Sequence, residues 1–135
     1  MRSENIAYYI KFMRSQTPSM FNGNNEACSR YIEENLKSAV QMMDKYSESN
    51  NPWWLSVDEN MAYHQLKEHD IMLVDYATFI DRLSRLLDRP IQSFEIGKNY
   101  NSLIFEAHEA YTDFMRAKIM QRYTRQNEQV TERIM

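Results

Sequence analysis

The sequence predicts an all-α fold, a compact single-domain bundle of about five helices, and three observations carry that expectation. Two glycines and three prolines among 135 residues leave too few turn formers for a series of hairpins. Apolar residues recur at three- and four-residue intervals along most of the chain, the period of helices buried on one side. The stripes break where proline, glycine and asparagine gather, so the punctuation agrees with the pattern.

The first helix is expected over residues 3–15, where Ile6, Tyr9, Ile10 and Met13 share a face. Tyr8 and Phe12 lie round the other side, which suits a helix covered twice. In "TPSMFNGNN", Pro18 argues against helix at Thr17, and Gly23 with its asparagine neighbours favours a turn. A long helix follows over about residues 25–47, striped by Cys28, Ile32, Leu36, Ala39, Met43 and Tyr46, with Asn35 projecting into the stripe. "SESNNP" ends it.

Ser56, with Glu59 three residues on, forms the pattern of a capping box, so a helix is expected from Val57 to about Asp70. Trp53, Trp54 and Leu55 precede it and read as a corner laid across neighbouring helices, each indole seeking a nearby acceptor. "IMLV" reads as a short apolar connector. From Asp75, "DYATFIDRLSRLLDRP" is the clearest helix, with Tyr76, Phe79, Ile80, Leu83, Leu86 and Leu87 on one face, an Asp81–Arg85 pair opposite and Pro90 as the stop. The segment 91–97 alternates Phe94 and Ile96 and is expected to be irregular or extended. A last helix over 100 to about 125 is striped by Tyr100, Ile104, Ala107, Tyr111 and Met115.

Continuing that last stripe at helical spacing reaches Lys118 and Arg122, while the apolar residues change face to Ile119, Tyr123, Val130 and Ile134. Residues 116–135 also carry five basic and two acidic side chains, against an acidic middle region around Asp58, Glu59, Glu68 and Asp70. Residues 123–135 therefore read either as a frayed end or as an oligomerisation tail. On the second reading Met115, Ile119, Tyr123, Val130 and Ile134 contact another chain, most simply a second copy.

Composition narrows the function classes. Cys28 is the only cysteine, so no intramolecular disulfide and no cysteine-based zinc cluster is expected, and a reducing cytoplasm is the expected compartment. No run approaches the ~20 apolar residues of a membrane span, and charges at Glu4, Lys11 and Arg14 interrupt the first apolar segment. A net charge of −3 disfavours a broad nucleic-acid footprint. Eleven asparagines alongside abundant Ile, Lys and Tyr suit AT-rich coding of the kind found on mobile DNA.

The candidate chemistry is sparse. His64 and Glu68 share a helical face and are the weak metal candidates, but neither HExxH nor paired Glu-x-x-His occurs, so no cofactor is expected. A small apolar or cationic ligand would find an aromatic and methionine-lined site at Trp53, Trp54, Met61 and Tyr63, with Asn35 and His108 as polar contacts. No catalytic constellation is present. The expectation is a non-enzymatic interaction or accessory protein that presents a helical surface and self-associates; the alternative is a small-ligand binding module. Buried tryptophans favour the first, tryptophans lining an open cavity the second.

Overall fold

The computed structural model describes residues 1–56 and 58–134, with side chains described as far as Thr124 outside position 57. Among the described residues there are seven α-helices and no strand. They are α1 (Ser3–Ser15), α2 (Thr17–Met20), α3 (Asn25–Glu48), α4 (Glu59–Lys67), α5 (Tyr76–Leu87), α6 (Ser93–Lys98) and α7 (Tyr100–Ile134), with one 3-10 turn at Trp53–Leu55 between α3 and α4. The expected all-α bundle is present. No described helix is long and apolar enough to cross a membrane.

α1 packs along α3, while α4 packs on α5 and both lie against α7. These two groups meet largely through big side chains. Trp53, Trp54, Tyr9, Met13, Met43, Met61, Leu66, Leu73, Leu83 and Leu103 belong to one core cluster that runs through both. Tyr8, on the second face of α1, donates from its hydroxyl to the Leu73 carbonyl at 2.7 Å, tying α1 to the connector before α5.

The capping chemistry corrects several expectations. Asn24 starts α3 by accepting from the Ala27 amide at 3.0 Å, and Asp75 starts α5 by accepting from Thr78 at 3.2 Å. The fourth helix, however, is not capped by Ser56. Its cap is Asp58, whose carboxylate accepts from the Asn60 amide at 3.1 Å, and the helix begins at Glu59. Ser56 instead closes the 3-10 turn that buries both tryptophans, and that turn displaces the helix start by two residues. The expected start at Val57 falls outside the described residues. The helix also stops at Lys67 rather than near Asp70, because the Gln65 amide takes the Glu68 and Ile71 carbonyls and turns the chain away.

Two short helices replace expected loops. Pro18 sits in the first turn of α2, where no backbone N–H is needed, so it initiates the turn it was expected to exclude. The segment 91–97 is not extended: α6 occupies Ser93–Lys98, and the Glu95 carboxylate accepts from the Gln92 amide at 2.8 Å. Phe94 and Ile96 alternate in sequence, yet Phe94 is exposed and Ile96 half-buried, so the alternation carries no strand. With α2 and α6 the count rises from about five to seven.

Arg89 locks this end of the bundle. Its guanidinium makes a two-pronged bond to Glu106 of α7 at 2.9 and 2.8 Å and reaches Glu95 of α6 at 2.9 Å. The bonds from Arg89 hold both carboxyls below the usual range. The Asp81–Arg85 pair on α5 forms as expected, at 3.4 Å. Tyr76, expected in the α5 stripe, is exposed instead and bonds Ser93 Oγ at 2.8 Å.

Candidate functional site

Two places carry side chains whose arrangement goes beyond plain packing. The first is the junction between the two helix groups. Trp53 is wholly buried and lies nearly parallel to the His64 imidazole, ring centroids 6.3 Å apart. Tyr46 from α3 presents its edge relationship to both, at 6.0 Å from Trp53 and 5.5 Å from His64. Tyr63 of α4 stacks on Tyr111 of α7 at 4.5 Å and 8°. Aromatic pairs at such offsets contribute beyond the area they bury, which suits a joint between helices that do not approach closely.

A chain of hydrogen bonds runs through this junction. The His64 Nδ1–H donates to the Asn60 carbonyl at 2.8 Å, since a carbonyl can only accept. Nε2 is therefore the acceptor facing Asn51 Nδ2 at 3.3 Å. Asn51 Oδ1 accepts from Asn60 Nδ2 at 2.9 Å, and Asn60 Oδ1 accepts from the Tyr111 hydroxyl at 2.7 Å. Burial pushes the His64 pKa below its ordinary value, with Lys67 acting in the same direction. The result is a neutral imidazole with both nitrogens engaged by the protein, which leaves neither lone pair nor proton for a reactant.

Glu68 does not pair with His64. The Tyr46 hydroxyl donates to it at 2.8 Å, and burial together with that carboxylate raises the Tyr46 pKa strongly. The two weak metal candidates thus flank Tyr46, each with its own partner. Among the described residues no group of three or more His, Cys, Asp and Glu side chains is placed to hold a metal ion.

The expected ligand residues are split between places. Trp54 and Met61 reach the edge of a shallow groove of about 320 Å³ with Tyr8, Phe12 and Val74, yet they are only 4% and 1% exposed. Trp53 is sealed on the other side, and its indole Nε1 has no hydrogen-bond partner among the described residues. The expectation that each indole finds an acceptor fails at Trp53, where aromatic rings occupy the surroundings instead. Asn35 is half-buried and donates to the Tyr31 carbonyl one turn earlier at 2.8 Å, far from the tryptophans in sequence and in role. His108 is exposed, with Nδ1 3.0 Å from the Tyr63 hydroxyl.

Sequence reading missed Asn51, Asn60, Gln65 and Tyr111 as structural polar positions. Asn60 stands four residues before His64, a spacing that places both on one helical face, so that pair was available. Gln65 left no signal. It is buried and its amide holds the Leu73 N–H and the Ile71 carbonyl, each at 2.8 Å.

The second place is α7. It is 35 residues long, so about 52 Å at 1.5 Å per residue. Of the expected stripe Ala107 is buried and Tyr100, Ile104 and Tyr111 are half-buried; Leu103, not expected there, is buried with them, and Met115 is exposed instead. Lys118 is the furthest described anchor to the body, 3.6 Å from Asp58. From Met115 to Thr124 every side chain is exposed. Met115 is 38% exposed, and Ile119, Met120 and Tyr123 are each 60% exposed. Val130 and Ile134, the remaining expected interface residues, fall outside the residues whose side chains are described. The helix expected to end at about 125 runs on to Ile134.

Comparison with protein-family models, with curated proteins and with solved structures finds no match.

Proposed function

We propose that this protein is a non-enzymatic helical interaction protein that self-associates through the outer half of α7. One observation carries the reading: α7 continues as helix to Ile134 while Met115, Ile119 and Tyr123, four residues apart and so on adjoining positions of one side, are all exposed. An isolated helix gains little in water, and amphipathic helices usually owe their stability to what covers the apolar side. Exposed contiguous apolar surface on a folded protein marks a surface that meets another molecule. The burial of Trp53 and Trp54 supports the same reading, since both rings sit in the core cluster shared by the two helix groups and Trp54 only edges a shallow groove. The cytoplasm remains the proposed compartment on the strength of the lone buried thiol of Cys28.

Sedimentation of the intact chain and of a variant ending at Arg122 tests this. The intact chain is expected at twice its 16.3 kDa mass and the shortened one at or near the single mass. Equal masses for the two would end the proposal.

A second reading rests on the groove beside Trp54, which suits a small apolar or cationic ligand between Tyr8 and Phe12. It requires Trp54 emission to respond on titration with such ligands. Silence across a broad panel counts against it.

A further inference from the structure

How two copies of α7 would meet is written along the helix itself. The exposed face is longer than its outer half. Phe105 is 65% exposed, and Phe105, His108, Thr112, Met115, Ile119 and Tyr123 follow one another at intervals of three and four residues, the spacing of a seam between paired helices. On a helix turning about 100° per residue this seam lies on the side away from Leu103 and Ala107, which face the core. The body leaves Phe105, Ile119 and Tyr123 clear, while at the flank of the seam His108 keeps its contact with the Tyr63 hydroxyl at 3.0 Å and Met115 borders the cleft beside Asn51 and Asp58.

Charge is divided along the same helix. Residues 100–115 hold three acidic side chains and no basic one, whereas residues 116–135 hold five basic and two acidic. Glu106 is already held by Arg89. Glu109 is exposed, and Asp113 makes only a loose contact with Arg116 at 3.8 Å, both groups being more than 70% exposed. Two such helices running parallel would lay basic beside basic and acidic beside acidic. Running antiparallel, each acidic inner half lies against a basic outer half. Charges at the rim of an interface add little affinity, but they select orientation and reject the like-charged arrangement.

Resting on the self-association proposed above, we infer that α7 pairs antiparallel with α7 of a second copy, about a two-fold axis level with Phe114, so that Phe105 of one copy meets Tyr123 of the other. The occupant of the seam is a second copy of this chain, because the helix carries both halves of the complementary charge pattern.

Full-length Phe105→Cys and Tyr123→Cys chains, each alone and mixed, are oxidised after their mass is measured. Cys28 is buried and stays silent. Both substituted positions are exposed, so folding is preserved, which far-ultraviolet dichroism checks. His108→Cys with Ile119→Cys, nearer the axis, serves as a second pair. The antiparallel arrangement gives a cross-linked dimer in the mixture at least severalfold above that of either variant alone. Strong links within each single variant would show a parallel pair and overturn the inference. Doubled mass without any link from these positions would overturn it too, placing the contact on another face while leaving self-association intact. A single-chain mass for the intact protein would remove the self-association proposal first and this inference with it.

Discussion

The junction around Trp53 and the outer half of α7 are built from the same kinds of residue, yet they reach opposite ends of exposure. Trp53, Met61 and Leu66 are sealed within the core cluster, whereas Ile119, Met120 and Tyr123 are each 60% exposed. The difference does not lie in hydrophobicity. It lies in whether the chain supplies a second surface: α3, α4 and α7 converge on the junction, while nothing within the described residues covers the outer half of α7. The junction is where the fold holds itself together, and the outer helix is where it is proposed to hold something else.

Breaking the junction should have the largest effect. Trp53→Ala removes a wholly buried ring from between Tyr46 and His64, and substitutions of this kind cost about 3–5 kcal/mol. Denaturant unfolding measures this directly, and a loss below about 1 kcal/mol would mean that the junction is not what joins the two groups.

Next comes Gln65→Leu, which keeps an apolar fit but strands the Leu73 N–H and the Ile71 carbonyl. The expected cost is roughly 1–3 kcal/mol for each buried group left unpaired. Hydrogen exchange at Leu73 is expected to accelerate more than exchange in α3. Uniform acceleration across the chain would show that the connector is not a separate weak point.

A pH series sharpens the contrast further. His64 is held neutral by burial, so its folded pKa lies below its unfolded value near 6.5. The unfolded chain then binds more protons as pH falls, and stability contributed by the neutral junction is complete above that value and declines as pH drops below it. The carboxyls of Glu95 and Glu106 are depressed from 4.5, so their contribution is lost only at lower pH. Melting temperature should therefore begin to fall below about pH 6.5. His64→Gln should flatten that first decline, and an unchanged slope in the variant would assign it to another group.

The smallest effect on stability is expected on α7. Ile119→Lys should change unfolding of the dilute protein by no more than about 0.5 kcal/mol, because no neighbour in the fold loses a contact. The same substitution should abolish the concentration-dependent gain in sedimentation mass. A variant that destabilised the monomer strongly would place Ile119 against the body and collapse the contrast between the two regions.

Much of this was legible in the chain, for identifiable reasons. α1, α3 and α5 each combine a stripe with a local terminator, and capping groups such as Asp75 act within one turn of where they stand. α6 was not legible, since six residues hold less than two turns and the bonds that Glu95 accepts from the Gln92 amide and the Arg89 guanidinium decide the matter. The start of α4 was misplaced for a related reason: Ser56 and Asp58 both carry capping chemistry, and the buried 3-10 turn at Trp53–Leu55 selects between them.

The candidate site was legible only in part. Trp53 and Trp54 announced a corner by composition, and the change of face after Met115 announced an unusual α7 by period. In the alliance of Asn51, Asn60, His64 and Tyr111 only the four-residue spacing of Asn60 and His64 was legible, because Tyr111 reaches Asn60 across 51 positions of sequence.

The sequence by itself determined what repeats locally: the helical class, the amphipathic faces, and the division of charge along α7. Only the tertiary structure decided which of those faces are covered, that His64 is sealed neutral between Trp53 and its amide partners, and that the side chains of α7 from Met115 to Thr124 stay exposed. Periodicity is encoded within a few turns of chain. Burial depends on partners that arrive from distant segments, and no local pattern specifies where those partners come to rest.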